Sequence, residues 1–243
     1  ETTNDFSNIG ETKTSSNGQG RFSLTTSLTN FRVQTSGGID LDTNNSLEGL
    51  ILINHKIDEL ASSNTAQNFI ISPLTTADFF LSESLKKLTN PISMTINELL
   101  GLDQNFNVNT TDHVDSLNNG FMYAEAYEKA NQLTSFALSL SRLANNLSTS
   151  STNSSEIFQV ILDRMVAIYQ SSQNEVNIES SAFIDALVDD INLKFSLSLE
   201  NEIKTKVKNM YKAFIPLIQV KPNLAATHGL FYFATNTFFN DLV

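Results

Sequence analysis

Hydrophobic and polar positions follow two different periods along this chain, and the change of period falls near residue 72. Before it, RFSLT (residues 21–25) and FRVQT (31–35) alternate apolar and polar side chains, as strands with one buried face do. The glycines of SSNGQG favour a turn ahead of the first strand. LEGLILI (47–53) and NFII (68–71) are suited to extend the same sheet. We therefore predict a β-rich N-terminal unit over residues 1–71.

From residue 72 onward, apolar residues recur every three or four positions, which is the period of an amphipathic helix. Ser72 is a good N-cap and Pro73 suits the first helical position, where its missing N–H is harmless. Gly101 is suited to end a short second helix. The most regular segment spans residues 119–147, and one apolar stripe on it comprises Leu133, Phe136, Ala137, Leu140, Leu143, Ala144 and Leu147.

Two further helices follow the polar loop STSSTNSSE. Asn153 with Glu156 three residues later has the spacing of a capping box, which predicts the start of the first. Apolar residues cover so wide a face of this helix that we expect it at the centre of the domain. Phe183, Leu187 and Ile191 mark the next helix by their four-residue spacing.

The last predicted helix, residues 200–214, has an apolar side and a basic side. Lys204, Lys208 and Lys212 are expected to form an outward row, and Pro216 should end or kink the helix. The apolar residues expected to face inward are Ile203, Val207, Met210 and Phe214. The predicted fold class is α+β, mainly α: a small β-sandwich-like unit, then a helical domain over residues 72–243 with a bundle of five to seven helices.

Composition narrows the function classes. The 243 residues are 40% hydrophobic, which predicts a packed core. A formal net charge of −11 would repel a phosphate backbone, so no nucleic acid partner is expected. The absence of cysteine excludes disulfides, thiolate metal sites and Cys nucleophiles. No apolar run reaches the roughly 20 residues that a membrane helix needs, so no membrane span is predicted.

The stretch SGGIDLDTNNS (36–46) resembles the start of a calcium loop. Asp40, Asp42 and Asn44 lie at positions i, i+2 and i+4, the spacing by which a turning loop brings oxygen ligands together. The EF-hand pattern then requires Gly and Glu where this chain has Asn45 and Ile51. Two interpretations stay open: an Asx-rich turn, which we favour, and a weak calcium site formed by Asp40, Asp42 and Asn44. No other cofactor is expected.

The histidines do not form a recognisable metal site or catalytic constellation. His55 and Glu59 lie four residues apart without a third ligand nearby. Asp112, His113 and Asp115 cluster, but acidic residues at the positive end of a helix explain that cluster more simply. No nucleophile elbow, HExxH motif or phosphate-binding glycine loop occurs. We therefore expect a protein that is not an enzyme and has no catalytic residues.

Four short motifs, GETKTSSNGQGRFSL, SGGIDLD, ISPLTT and LLGLD, occur in this order over about residues 10–115. Their order resembles modules of large secreted bacterial surface proteins and adhesins. In those modules a small β-sandwich, like the carboxypeptidase regulatory-like or Sdr-type B repeat, precedes a helical region. The resemblance implies an exported adhesive or structural role, located outside the cell or at its surface. It implies no catalytic residues.

The expected function is that of a non-enzymatic extracellular structural subunit. The polar N-terminal stretch, residues 1–18, has too little apolar surface to order itself, so it must pair as a strand within its own unit or on a neighbour. Pairing on a neighbour would make a homo-oligomer or polymer, and the C-terminal segment GLFYFATNTFFNDLV (229–243) could supply another contact. The alternative is a module of a bacterial adhesin that binds a surface carbohydrate or another ligand.

Overall fold

The computed structural model describes residues 32–40, 45–55, 70–90, 92–112, 120–148 and 151–218. Over these residues the protein is mainly α-helical with a small antiparallel sheet, which confirms the coarse fold prediction. The strands are β1 (Val33–Ser36), β2 (Ile39–Asp40), β3 (Asn45–Ser46) and β4 (Ile51–Asn54). The helices are α1 (Pro73–Lys86), α2 (Ile96–Leu100), α3 (Phe121–Leu147), α4 (Ser154–Ser172), α5 (Ser181–Lys194) and α6 (Asn201–Phe214).

The four strands form one kinked antiparallel hairpin. β1 pairs with β4 and β2 pairs with β3, and the hydrogen bond from Gly37 N–H to the Leu50 carbonyl joins the two ladders. Gly37 and Gly38 have φ of 68° and 120°, so glycine permits the kink between β1 and β2. Opposite the kink, the turn at residues 47–50 bulges out of the second strand.

The sheet is smaller than the sequence pattern indicated. Each ladder of the described residues has two strands, and these residues show a hairpin rather than a β-sandwich. Ile70 and Ile71, the described half of NFII, are not in a strand. The Ile70 N–H instead donates to the Asn109 carbonyl, and the Ile70 carbonyl accepts from the Asn54 side chain, so this segment is tied down outside a ladder. The predicted strand at residues 21–25 lies outside the described residues.

The helix boundaries follow the predicted capping residues. Ser72 and Thr75 form a reciprocal capping box at the start of α1, and Asn153 and Glu156 form another at the start of α4. Gly101 ends α2 in the left-handed conformation. The α6 helix ends at Phe214 and passes into a 3₁₀ turn, residues 215–217, at the predicted proline. These local predictions are confirmed.

The α4 helix lies at the centre of the fold, as its wide apolar face predicted. It packs against α1, α3 and α5, and its residues Ile157, Phe158, Ile161 and Leu162 have no exposed surface. The predicted stripe on α3 is buried except for Leu147, which is partly buried. Leu50 and Ile53 of the hairpin belong to the same apolar cluster as the helices. Among the described residues, the hairpin and the helices therefore share one core.

The lysine row of α6 is oriented differently from the prediction. Lys208 and Lys212 point toward α5, where their ammonium groups lie 2.8 and 2.7 Å from the carboxylates of Asp189 and Asp185. Lys204 also pairs with Asp189, at 3.2 Å. The outward interpretation was wrong because α5 carries carboxylates with the same four-residue spacing. Their attraction aligns the lysine row along the interface between the two helices.

Candidate strand-addition edge

The outer edge of β4 is closed by hydroxyl groups of the helices rather than by another strand. The Ile51 N–H donates to Ser154 Oγ at 2.7 Å, and the Ile53 N–H donates to Thr76 Oγ1 at 2.9 Å. The Thr75 hydroxyl donates to the Ile53 carbonyl at 2.8 Å. Thr75, Thr76 and Ser154 have no exposed surface. The hairpin is therefore attached to the helices through one edge, with α1 and α4 acting as its neighbours.

Among the residues that the structure describes, none pairs with the opposite edge of the hairpin, along β1. In an antiparallel ladder, successive residues direct their N–H and C=O groups alternately toward and away from the partner strand. Ile51 and Ile53 direct their backbone groups away from β1, toward the helices. Their partners in the register, Ser36 and Gln34, therefore direct their own N–H and C=O groups away from β4. Within the described residues, no hydrogen bond reaches these outward groups.

This edge lacks the charged and proline residues that commonly protect a sheet edge against strand pairing. Native sheet edges are commonly blocked by lysine, proline or a bulge. The segment VQTSGG, residues 33–38, contains neither a charge nor a proline. The side chains of Gln34 and Ser36 are exposed, and the bulge of the hairpin lies in the other strand. The β1 edge is thus chemically suited to accept an added strand.

Both ends of the hairpin are fixed to the helices. At the open end, Arg32 and His55 flank the Phe79 ring of α1: the guanidinium lies 5.8 Å and the imidazole 5.3 Å from the ring centroid. Burial lowers the pKa of Arg32, although the nearby Glu83 carboxylate opposes that shift. Near the bulge, the Arg142 guanidinium donates to the Ser46 carbonyl at 3.1 Å. These contacts hold the hairpin that carries the β1 edge against α1 and α3.

The predicted calcium ligands lie at and just beyond the end of β2. Asp40 is the last residue of β2 and pairs in register with Asn45. Asp42 and Asn44 lie outside the described residues, as do Glu59, His113, Asp115 and His228. The weak calcium site of Asp40, Asp42 and Asn44 stays a prediction. In the part of the chain that is described, no three acidic or histidine side chains are grouped so that they could hold a metal ion.

A shallow groove of about 350 Å³ lies between α4 and α5. Arg164 on its wall holds Asp190 through two hydrogen bonds of 2.6 and 2.5 Å, and the bond to Asp190 is the main cause of the raised pKa of Arg164. Asp163 accepts from Ser84 at 2.7 Å and from Lys87 at 2.9 Å. These partners tie α4 to α5 and to α1, so the charged walls of the groove are engaged in holding helices together.

No family model, curated protein or solved structure matches the chain. Among the helices that the structure describes, none is both long and apolar enough to cross a bilayer.

Proposed function

We propose that this chain is a non-enzymatic extracellular structural or cell-surface protein that self-assembles by strand addition. In this proposal the N-terminal segment of one copy pairs with the β1 edge of the next. The observation that supports it is the open edge itself, where Gln34 and Ser36 direct backbone donors and acceptors away from the fold. Strand addition uses backbone hydrogen bonds, so a polar donor such as residues 1–18 is sufficient.

A donor segment and an acceptor edge are different surfaces, so the contact is heterologous. A heterologous contact that does not close on itself produces a filament. The aromatic C-terminal segment, residues 229–243, offers a second contact in the same assembly. An extracellular location follows from the resemblance of the motifs to surface-protein modules.

Within the part of the chain that the structure describes, the α4–α5 groove gives less support to the carbohydrate-binding alternative than the β1 edge gives to strand addition. Small-molecule sites are usually lined by aromatic and apolar side chains with a few converging polar groups. The lining of the α4–α5 groove includes no aromatic ring, and its Arg164 and Asp190 are bonded to each other. The edge of β1, by contrast, presents backbone donors and acceptors at the spacing that an added strand uses.

A proline at Ser36 tests this proposal. The Ser36 N–H points away from β4, so Ser36→Pro removes an edge donor and leaves the ladder to β4 intact. Thr35→Pro is the matched control for damage to the hairpin, because the Thr35 N–H faces Leu52 across the ladder. We expect Ser36→Pro to keep the circular dichroism and melting curve of the parent chain and to lose self-association.

Sedimentation at high protein concentration measures that association. Deleting residues 1–18 should reduce it as Ser36→Pro does, since one change removes the donor and the other blocks the acceptor. If the truncated chain assembles as the intact chain does, or if the intact chain stays monomeric at high concentration, the proposal is wrong.

A further inference from the structure

The open end of the hairpin places two basic side chains opposite each other. The register that pairs Val33 with Asn54 continues one step to Arg32 and His55, so the side chains of that next pair extend from one face of the hairpin. Both contact the Phe79 ring of α1: the guanidinium carbon lies 5.8 Å from the ring centroid, and the imidazole packs edge-on at 5.3 Å. We call this contact of Arg32, Phe79 and His55 the clasp.

The clasp accommodates one cation and is opposed by a second. The electron-rich face of Phe79 attracts the Arg32 guanidinium, and a neutral His55 imidazole packs against the same ring as an aromatic group. Protonation of His55 would place a second positive charge opposite Arg32, and like charges directly opposite across two strands are destabilising. The Nδ1 atom of His55 is buried, so water would screen that repulsion little.

The α1 helix also brings charged groups near the clasp. Asp78 is buried, and Glu83 is close enough to attract the Arg32 guanidinium. Glu83 also pairs with Lys86 at 2.6 Å. A carboxylate favours a protonated imidazole and a guanidinium disfavours it, and Arg32 is the charge directly across the hairpin from His55. The balance between them is therefore set first by Arg32.

We propose that the clasp is an acid-sensitive switch, which holds the open end of the hairpin closed while His55 is neutral and loosens when His55 is protonated. An imidazole in an unfolded chain takes up its proton at about pH 6.5. Because the closed clasp disfavours that proton, the opened form binds more protons, and the closed form loses stability as the pH falls. The clasp is closed above about pH 7 and loosens toward about pH 5. This switch is independent of strand addition.

A pH titration of the full chain followed by NMR tests the switch. The chain has three histidines, and the ring signal of His55 is the one that disappears in His55→Gln. The Val33 and Asn54 amides should shift with the same midpoint as that ring, and their hydrogen-exchange protection should fall by about two- to fivefold between about pH 7.5 and pH 5. The Thr35 and Leu52 pair, two steps further along the ladder, is the internal control and should keep its protection.

Two substitutions at Arg32 separate charge from packing. Arg32→Gln removes the opposing charge and should raise the proton affinity of the His55 ring by roughly two- to fivefold. Arg32→Lys is the matched control, because it keeps the charge and should titrate like the parent chain. If Arg32→Gln leaves the midpoint unchanged or lowers it, the opposition between the two side chains is refuted. Equal protection of Val33 and Asn54 at both pH values, or a loss at pH 5 that persists in His55→Gln, refutes the switch.

Discussion

Replacing Thr76 by valine should remove one of the two α1 hydroxyl groups that hold Ile53, without changing the shape of the core. The Thr76 hydroxyl accepts the Ile53 N–H at 2.9 Å and donates to the Ser72 carbonyl at 2.8 Å. Valine has nearly the same volume and lacks the hydroxyl. The Ser72 carbonyl keeps another donor, the Thr76 N–H. The Ile53 N–H, however, loses its acceptor inside the protein.

The loss of stability is set by the Ile53 N–H, which is left without an acceptor. Ile53 is 3% exposed and Thr76 has no exposed surface, so water has little access to the freed N–H. A buried donor without a partner costs about 1–3 kcal/mol. For a chain of this length, 1 kcal/mol corresponds to a change of about 2–4 °C in melting temperature. We therefore expect Thr76→Val to lower the melting temperature by roughly 2–12 °C.

Urea and thermal denaturation followed by circular dichroism measure this change. Thr205→Val is the matched control, because the Thr205 hydroxyl also donates to a carbonyl four residues earlier but lies on the exposed side of α6. The control should change the free energy of unfolding by no more than about 0.5 kcal/mol. Hydrogen exchange should quicken at Ile53 in Thr76→Val and stay unchanged in Thr205→Val. Equal stabilities for the two variants would refute the role of Thr76 as the anchor of β4.

Three further results are expected. Gly101→Ala and Gly49→Ala should each destabilise the fold in urea melts, because both residues have positive φ, which strains alanine. The Glu175 carboxylate near Gly101 belongs to an exposed side chain that can move away from the added methyl group, so the two losses should be similar. Burial raises the pKa of Tyr211 above its usual value of 10.0. The contribution of the neutral phenol to stability is therefore present below pH 10 and is lost as the pH rises further. Tyr211→Phe has no group to ionise and should resist alkaline unfolding better than the parent chain. Burial alone would raise the pKa of Asp189, but hydrogen bonds from two α6 lysines together lower it. Its contribution to stability is therefore present above its usual pKa and is lost as the pH falls through the lowered pKa. Asp189→Asn should be less stable than the parent chain at pH 7 and should lose less stability on acidification, as measured by urea denaturation at pH 7 and at acidic pH.

Residues that act within one turn of chain could be identified from the sequence. The capping boxes at Ser72 and Asn153 and the left-handed Gly101 depend on side chains and backbone a few residues apart. The apolar stripe of α3 likewise depends only on helical spacing. The hairpin was recognisable in part. The residues of β1 alternate apolar and polar side chains, β4 carries a continuous apolar run, and the glycines between the two strands permit the chain to change direction.

The direction in which a polar face points required the tertiary structure. The lysines of α6 have a spacing that suits either solvent or an acidic neighbour, and only the position of α5 decides between them. Tyr211 gives a second example. Its ring stacks on Phe136 at 5.4 Å and its hydroxyl lies 2.7 Å from Ser139 Oγ, in a site 72 residues away along the chain.

The candidate functional edge depends on both kinds of information. Local sequence determined that residues near Val33 form a strand and that this strand lacks charges and proline. Which of its two sides is open was decided by Ser154, which is 103 residues from Ile51 in sequence, and by Thr76. A strand has two chemically equivalent edges, and its side-chain pattern distinguishes its faces rather than its edges. Only the packing of the helices against β4 determines that, among the described residues, the β4 edge is closed and the β1 edge is not.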